Sequence, residues 1–164
     1  MAIIHTEIIG LKELTKKIDK ITPAVKDKIK KALYMEGERI MAASKQLVPV
    51  DLGVLRSSGH VRLPIELGKT IIVELGYGGA AKEYAMYVHE GTGPRVGKPE
   101  FFPPPLKIEK WMRRKGIHAD AWEVAQRIGE RGLPPLKYLE RPYRAAKSGM
   151  SKRIVMSMKG SLFR

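Results

Sequence analysis

The chain has 164 residues, 43% of them hydrophobic, which supports one modest core and a single domain spanning 1–164. Its formal net charge of +14 favours a polyanion or an acidic protein as neighbour. With no cysteine, disulfides and thiolate metal sites are excluded, which fits assembly in a reducing cytoplasm.

The start, Met1 to Glu7, lacks a basic region followed by a sustained apolar run, so no signal peptide is expected. No apolar stretch approaches the roughly 18 residues that span a bilayer, so no membrane partner is expected either. Residues 2–9 are apolar and β-branched and predict a short strand or ordered arm closed by Gly10. Leu11, Leu14, Ile18 and Ile21 recur at helical spacing, predicting a short amphipathic helix. Thr22-Pro23 is a helix-start signal. From it Val25, Ile29, Leu33, Ile40, Ala43 and Leu47 keep one face apolar, so a long helix runs to Leu47 and ends before Pro49.

Val61–Ile65 and Thr70–Leu75 predict two strands joined through Gly68-Lys69, with Pro64 marking an edge or a bulge. Gly76 to Gly79 reads as a loop, and Ala80–Glu90 as a short helix with Tyr84, Tyr87 and Val88 on one side. Pro94–Pro105 carries five prolines around Phe101-Phe102 and predicts an irregular segment. Two helices follow, at about 106–115 and 119–131, anchored by Trp111, Trp122, Val124, Ala125 and Ile128. Gly132 and Pro134-Pro135 end the second. A last helix runs from about Tyr138 to Lys159, with Gly149 as its weak point.

No enzymatic constellation emerges. Gly93 to Pro99 has a glycine spacing one residue too short for a phosphate loop, and Pro99 stands where a Ser or Thr would hold magnesium. His89-Glu90 begins like a zinc-protease motif, but Gly93 replaces the second histidine. His5, His60 and His118 are scattered singly, and no nucleophile sits in an elbow motif. The reading is therefore a non-enzyme with no cofactor and no metal.

Two stretches stand out instead. One is Pro49-Val50-Asp51-Leu52-Gly53-Val54-Leu55-Arg56-Ser57-Ser58-Gly59, and the other is Tyr84-Ala85-Met86-Tyr87-Val88-His89-Glu90-Gly91-Thr92-Gly93. Their glycines permit sharp turns, Asp51 can accept turn donors, and Arg56 can satisfy Asp51 or bridge carboxylates or a partner's carbonyls. Tyr84 and Tyr87 either anchor an interface or cover the sheet. After Glu140 the chain has no acidic residue, and Arg141, Arg144, Lys147, Lys152 and Arg153 fall on the last helix. These cations either approach a nucleic-acid backbone, complement acidic neighbours, or remain in solvent. Lys107, Lys110, Arg113, Arg114 and Lys115 form a second cluster around Trp111.

In this order the two stretches resemble the small neck proteins of long-tailed double-stranded-DNA bacteriophages, the head–tail joining, minor tail-component or tail-completion family. That family's pattern is Pro-Val-Asp-Thr-Gly-x-Leu-Arg-x-Ser, a hairpin, then Tyr-Ala-x-Tyr-Val-Glu-x-Gly-Thr and a proline-flanked segment before a final helix. Pro49, Val50, Asp51, Gly53, Leu55, Arg56 and Ser58 match the first block, with Leu52 in place of threonine. Tyr84, Ala85, Tyr87, Val88, Gly91 and Thr92 match the second, its acidic residue displaced to Glu90, and Pro135 to Ala145 corresponds to the third. Residues from about 94 to 134 are extra relative to short family members.

The resemblance implies an α+β fold: a long amphipathic helix on a small antiparallel β-sheet, an inserted two-helix segment and a C-terminal basic helix. It implies a structural subunit of the virion neck or tail, assembled in the host cytoplasm into a ring that joins the head and portal complex to the tail. Expected partners are other copies of the chain, adjacent head-closure or adaptor proteins, tail-terminator or tail-tube proteins, and packaged double-stranded DNA. The expected interface residues are Asp51, Arg56, Tyr84, Tyr87, Glu90, Thr92, Phe101, Phe102 and Trp111. The alternative is a basic module that binds nucleic acid without sequence preference.

Overall fold

The structure, a computed structural model, describes residues 23–68 and 70–160. The strand or arm expected at 2–9 and the helix expected at 11–21 lie outside them. The elements run α1 (Pro23–Leu47), α2 (Val54–Ser57), β1 (Gly59–Val61), β2 (Ile65–Leu67), β3 (Thr70–Ile72), β4 (Leu75–Tyr77), α3 (Lys82–Glu90), α4 (Pro105–Lys115), α5 (Ala121–Arg131) and α6 (Glu140–Gly160). The fold is α+β.

Helix α1 is the backbone of the core. Ile29, Ala32, Leu33, Glu36, Gly37, Ile40, Met41 and Ser44 are buried, a stripe repeating every three or four residues. Gly37 lies where the sheet presses closest: a methyl there would stand 3.0 Å from the Val61 side chain and 3.1 Å from that of Val73. Val73, Leu75 and Tyr77 bring the sheet onto this stripe, and Met150 and Ile154 bring α6 onto it. The Tyr77 hydroxyl shares a 2.8 Å hydrogen bond with Ser44, so the polar tip of this buried ring is satisfied.

The hairpin differs from its expected extent. Its first strand begins at Gly59, and its last runs through Tyr77, so Gly76 and Tyr77 belong to the sheet rather than to a loop. β1 pairs with β4 from Gly59↔Tyr77 to Val61↔Leu75, and β2 pairs with β3 from Ile65↔Ile72 to Leu67↔Thr70. The Arg62 amide still donates to the Glu74 carbonyl at 2.8 Å. Leu63 and Pro64 therefore stand opposite the single residue Val73, a β-bulge at the proline that cannot donate to the ladder. The extra residue switches faces. Glu66 turns toward α1, where Lys26 and Lys30 meet it, and Ile65 and Leu67 turn outward.

Helix α3 forms, but its inward face is Ala85, Val88 and His89, whereas Tyr84 and Tyr87 are exposed. Small Ala85 lets the helix approach the Tyr138 ring, which tyrosines at that position would prevent. The irregular run after Gly93 holds one 3-10 turn, Pro94–Val96. α4 and α5 pack on each other through Met112 and Ala125, while Trp122, expected as an anchor, is 64% exposed. Asp120 caps α5 by accepting the Glu123 amide.

Helix α6 begins at Glu140 and is unbroken through Gly149. That glycine has a packing reason: a methyl there would lie 2.6 Å from the Arg153 guanidinium. Arg153 folds over it toward the Ala146 carbonyl and the buried Glu36 of α1.

Candidate assembly surface

The first of the two stretches forms one wall of an open groove. Beyond Leu47 the chain passes Pro49 and Asp51 and turns at Gly53, whose φ of 78° favours glycine, into α2. The Pro49–Leu55 loop, Tyr84 and Val88 of α3, and Trp111 and Lys115 of α4 enclose about 760 Å³. Its lining is mainly apolar, with Leu52 69% exposed and Tyr84 38% exposed. Asp51 is tied to α4 by the Arg114 guanidinium, with Nε at 3.1 Å, rather than to Arg56 as the sequence allowed. That hydrogen bond holds the Asp51 carboxyl below its ordinary range. Lys115 donates to the Val50 carbonyl at 2.9 Å and completes the closure.

The second stretch is engaged inside the subunit at its C-terminal end. The Thr92 amide donates to the Leu133 carbonyl at 3.0 Å, and the Leu133 amide donates back to the Thr92 hydroxyl at 3.1 Å. Glu90 is paired with Lys137, which lowers its carboxyl pKa, and it also faces His89. His89 is buried, with Nδ1 2.8 Å from a Glu90 oxygen and Nε2 receiving the Glu140 amide at 3.4 Å. A ring that accepts at Nε2 carries its proton on Nδ1, so Nδ1 donates to Glu90. Tyr138 packs edge-on against both His89 and Tyr77, and its hydroxyl donates to the Ala85 carbonyl at 2.8 Å. Burial raises its pKa. Glu90 thus locks the second block to the third, and Thr92 locks it to Leu133 just ahead of the third.

Of the remaining expected interface residues, Arg56, Tyr87, Phe101 and Phe102 are exposed, although the Phe102 ring also covers Gly129. Trp111 is half-buried at the groove. Arg141, Arg144, Lys147 and Lys152 are exposed, with Arg144 paired to Glu140. Arg153 departs from this group. Its Nε and Nη2 donate to Glu36 at 2.8 and 2.7 Å, so it is an internal tie and not part of the outer stripe. The physical cause is the otherwise buried Glu36 carboxylate, which needs a counter-charge. The bulge produces a surface that sequence reasoning missed: Leu63, Ile65 and Leu67 are all exposed on the hairpin. Only Pro64 signalled it.

Among the described residues no group of three or more His, Cys, Asp or Glu is placed to hold a metal, and no helix is long and apolar enough to cross a membrane.

Residues 12–91 match the family model described as "Bacteriophage HK97-gp10, putative tail-component". This stretch is similar to the HK97-gp10-like family. No curated protein and no solved structure gives a match to the chain. The HK97-gp10-like region takes in α1, the groove loop, the hairpin and α3, ending at Gly91 beside the Thr92–Leu133 seam. The match likens this stretch to a putative tail component of a bacteriophage.

Proposed function

We propose that the chain is a non-enzymatic, ring-forming subunit of the phage neck, connecting the head and portal complex to the tail. The observation that carries this reading is the match of residues 12–91 to a phage tail-component family over the residues that build most of the groove, which Trp111 and Lys115 of α4 complete. Two exposed apolar surfaces support it: the groove bearing Leu52 beyond the C-terminal end of α1, and Ile65 and Leu67 beside Lys26 near its start. Two different surfaces on one subunit suit a component that meets two kinds of neighbour, further copies of itself around a ring and the next protein along the axis. The groove loop, the 94–134 segment and the basic last helix would supply the contacts to other copies, to adaptor proteins and to tail-terminator or tail-tube proteins.

Peptide mass spectrometry of purified virions, followed by immunogold labelling, tests the reading. Gold at the head–tail junction is expected. A chain absent from virions, or present only along the distal tail, refutes it.

The exposed Arg141, Lys147 and Lys152 favour a second reading, a basic module that lies against nucleic acid without sequence preference. It requires duplex binding by the isolated protein that weakens steeply with salt, and a shallower salt slope on neutralising Lys147 and Lys152. Binding insensitive to both removes it.

A further inference from the structure

The groove combines an apolar floor with cations that its own carboxylates do not balance. Helix α4, which supplies one wall, carries Lys107, Lys110, Arg113, Arg114 and Lys115 against the single acid Glu109. Glu109 is taken by Arg113, and Asp51, the carboxylate in the groove lining, is taken by Arg114. Lys115, which also lines the groove, donates to the Val50 carbonyl, and the carboxylate that it acts on, Asp51, is already bonded by Arg114. Lys107 lies one helical turn before Trp111, on the same face of α4. An apolar occupant alone would leave these charges beside a water-excluding contact, which costs free energy. A second copy, with a net charge of +14, would bring like charge to a basic rim.

We infer that this groove is the docking site for an acidic amphipathic peptide segment of a different protein. The segment's apolar side lies on Leu52, Tyr84 and Trp111, and its carboxylates meet Lys115 and Lys107. The inference rests on the assembly reading only in supposing that a neighbour exists. The groove's volume of about 760 Å³ suits a short helical or extended stretch.

The test uses the full chain carrying Trp122→Phe, an exposed position, so that Trp111 is the only tryptophan reporter. The probe is a tryptophan-free helical peptide of about five turns with leucine on one face and glutamate on the other. One control peptide replaces glutamate by lysine, and a second keeps glutamate but replaces leucine by serine. The glutamate–leucine peptide is expected to shift Trp111 emission and to bind at least about tenfold more tightly than either control, weakening with added salt.

Leu52→Asp, and separately Lys107→Glu, should each reduce that affinity by about tenfold while the thermal melting curve stays in place. Lys107→Glu leaves the Lys115–Val50 bond untouched and guards against a merely structural effect. Equal binding of the lysine peptide, or indifference to both substitutions, overturns the inference. Tighter binding of a single-stranded thymidine oligonucleotide than of the acidic peptide also overturns it, in favour of nucleic acid. Failure of the neck reading would show in the virions and would leave these titrations unchanged.

Discussion

Replacing Gly132 by alanine should be among the most damaging single-methyl additions available to this protein. Gly132 has φ 73° and ψ 172°, a region that is essentially glycine-only and costs other residues about 1–3 kcal/mol. The added methyl would also collide with the Thr92 carbonyl and stand 3.0 Å from the Cα of Gly93. Relief requires the 92 and 133 strands of chain to separate, which weakens the two hydrogen bonds between Thr92 and Leu133. At about 0.5–1.5 kcal/mol each, these bring the expected loss to about 2–6 kcal/mol. That is a large fraction of the roughly 5–15 kcal/mol that holds a domain of this kind together.

Gly116→Ala is the control. It shares a positive φ, 65°, but a methyl there meets nothing within 4 Å, so it should cost only about 1 kcal/mol. Urea unfolding followed by far-ultraviolet circular dichroism measures both. If Gly132→Ala were no worse than Gly116→Ala, the seam would be slack and Thr92 would be available to a partner.

Further outcomes are open to direct measurement. Arg153→Ala should cost about 2 kcal/mol in urea unfolding, less than a fully buried pair because Arg153 keeps some water, while Lys152→Ala should be near neutral. Equal effects would return Arg153 to the outer stripe. Tyr138→Phe removes a buried donor to the Ala85 carbonyl and should cost about 1 kcal/mol in the same assay; a neutral result would mean water replaces it. The carboxyls of Glu90, Asp51 and Glu66 are all held below their ordinary values, chiefly by hydrogen bonds from Lys137, Arg114 and Lys26 respectively. Because a depressed folded pKa stabilises the fold above the unfolded value, their contribution should be full at neutral pH. It should then fall as the pH drops below the ordinary 4.5 of Glu and 3.8 of Asp. Urea midpoints across that window, with Glu90→Gln flattening the fall, provide the check; an unchanged slope in Glu90→Gln would show that its pairing contributes nothing.

The helices were legible because their periodicity is local. Pro23 marked where α1 starts and the stripe could be counted from Val25 through Ile29 and Leu33 to Ile40, but Ala43 and Leu47, expected to continue it, are exposed, and Met41 and Ser44 are buried in their place. Pro64 likewise flagged the bulge, since a missing amide is a property of one residue. What the sequence could not show was pairing across distance. Asp51 has Arg56 close in the chain, yet its partner is Arg114, 63 residues away. Arg153 looks like one more cation on a basic helix until Glu36, 117 residues earlier, is seen to be buried beneath it. On α3 the spacing put Tyr84, Tyr87 and Val88 on one side and left open whether the tyrosines cover the sheet or face outward. Packing chose the smaller Ala85, because the site was already filled by Tyr138. At the groove, the loop and both aromatic residues were visible as separate signals, but their convergence was not.

A methyl on Gly93 would stand 2.7 Å from the Cα of Gly132, so the chain leaves the core and re-enters it at nearly one point. Everything between, including α4 and α5, is set on that point like a fitting on a socket and is fastened a second time where Arg114 and Lys115 of α4 meet Asp51 and Val50. Its length can grow or shrink without redirecting the chain on either side, because closing such a loop costs only a slowly rising entropy. One wall of the groove stands on the core and the opposite wall on the fitting. Exchanging the fitting would give the same core a new choice of neighbour.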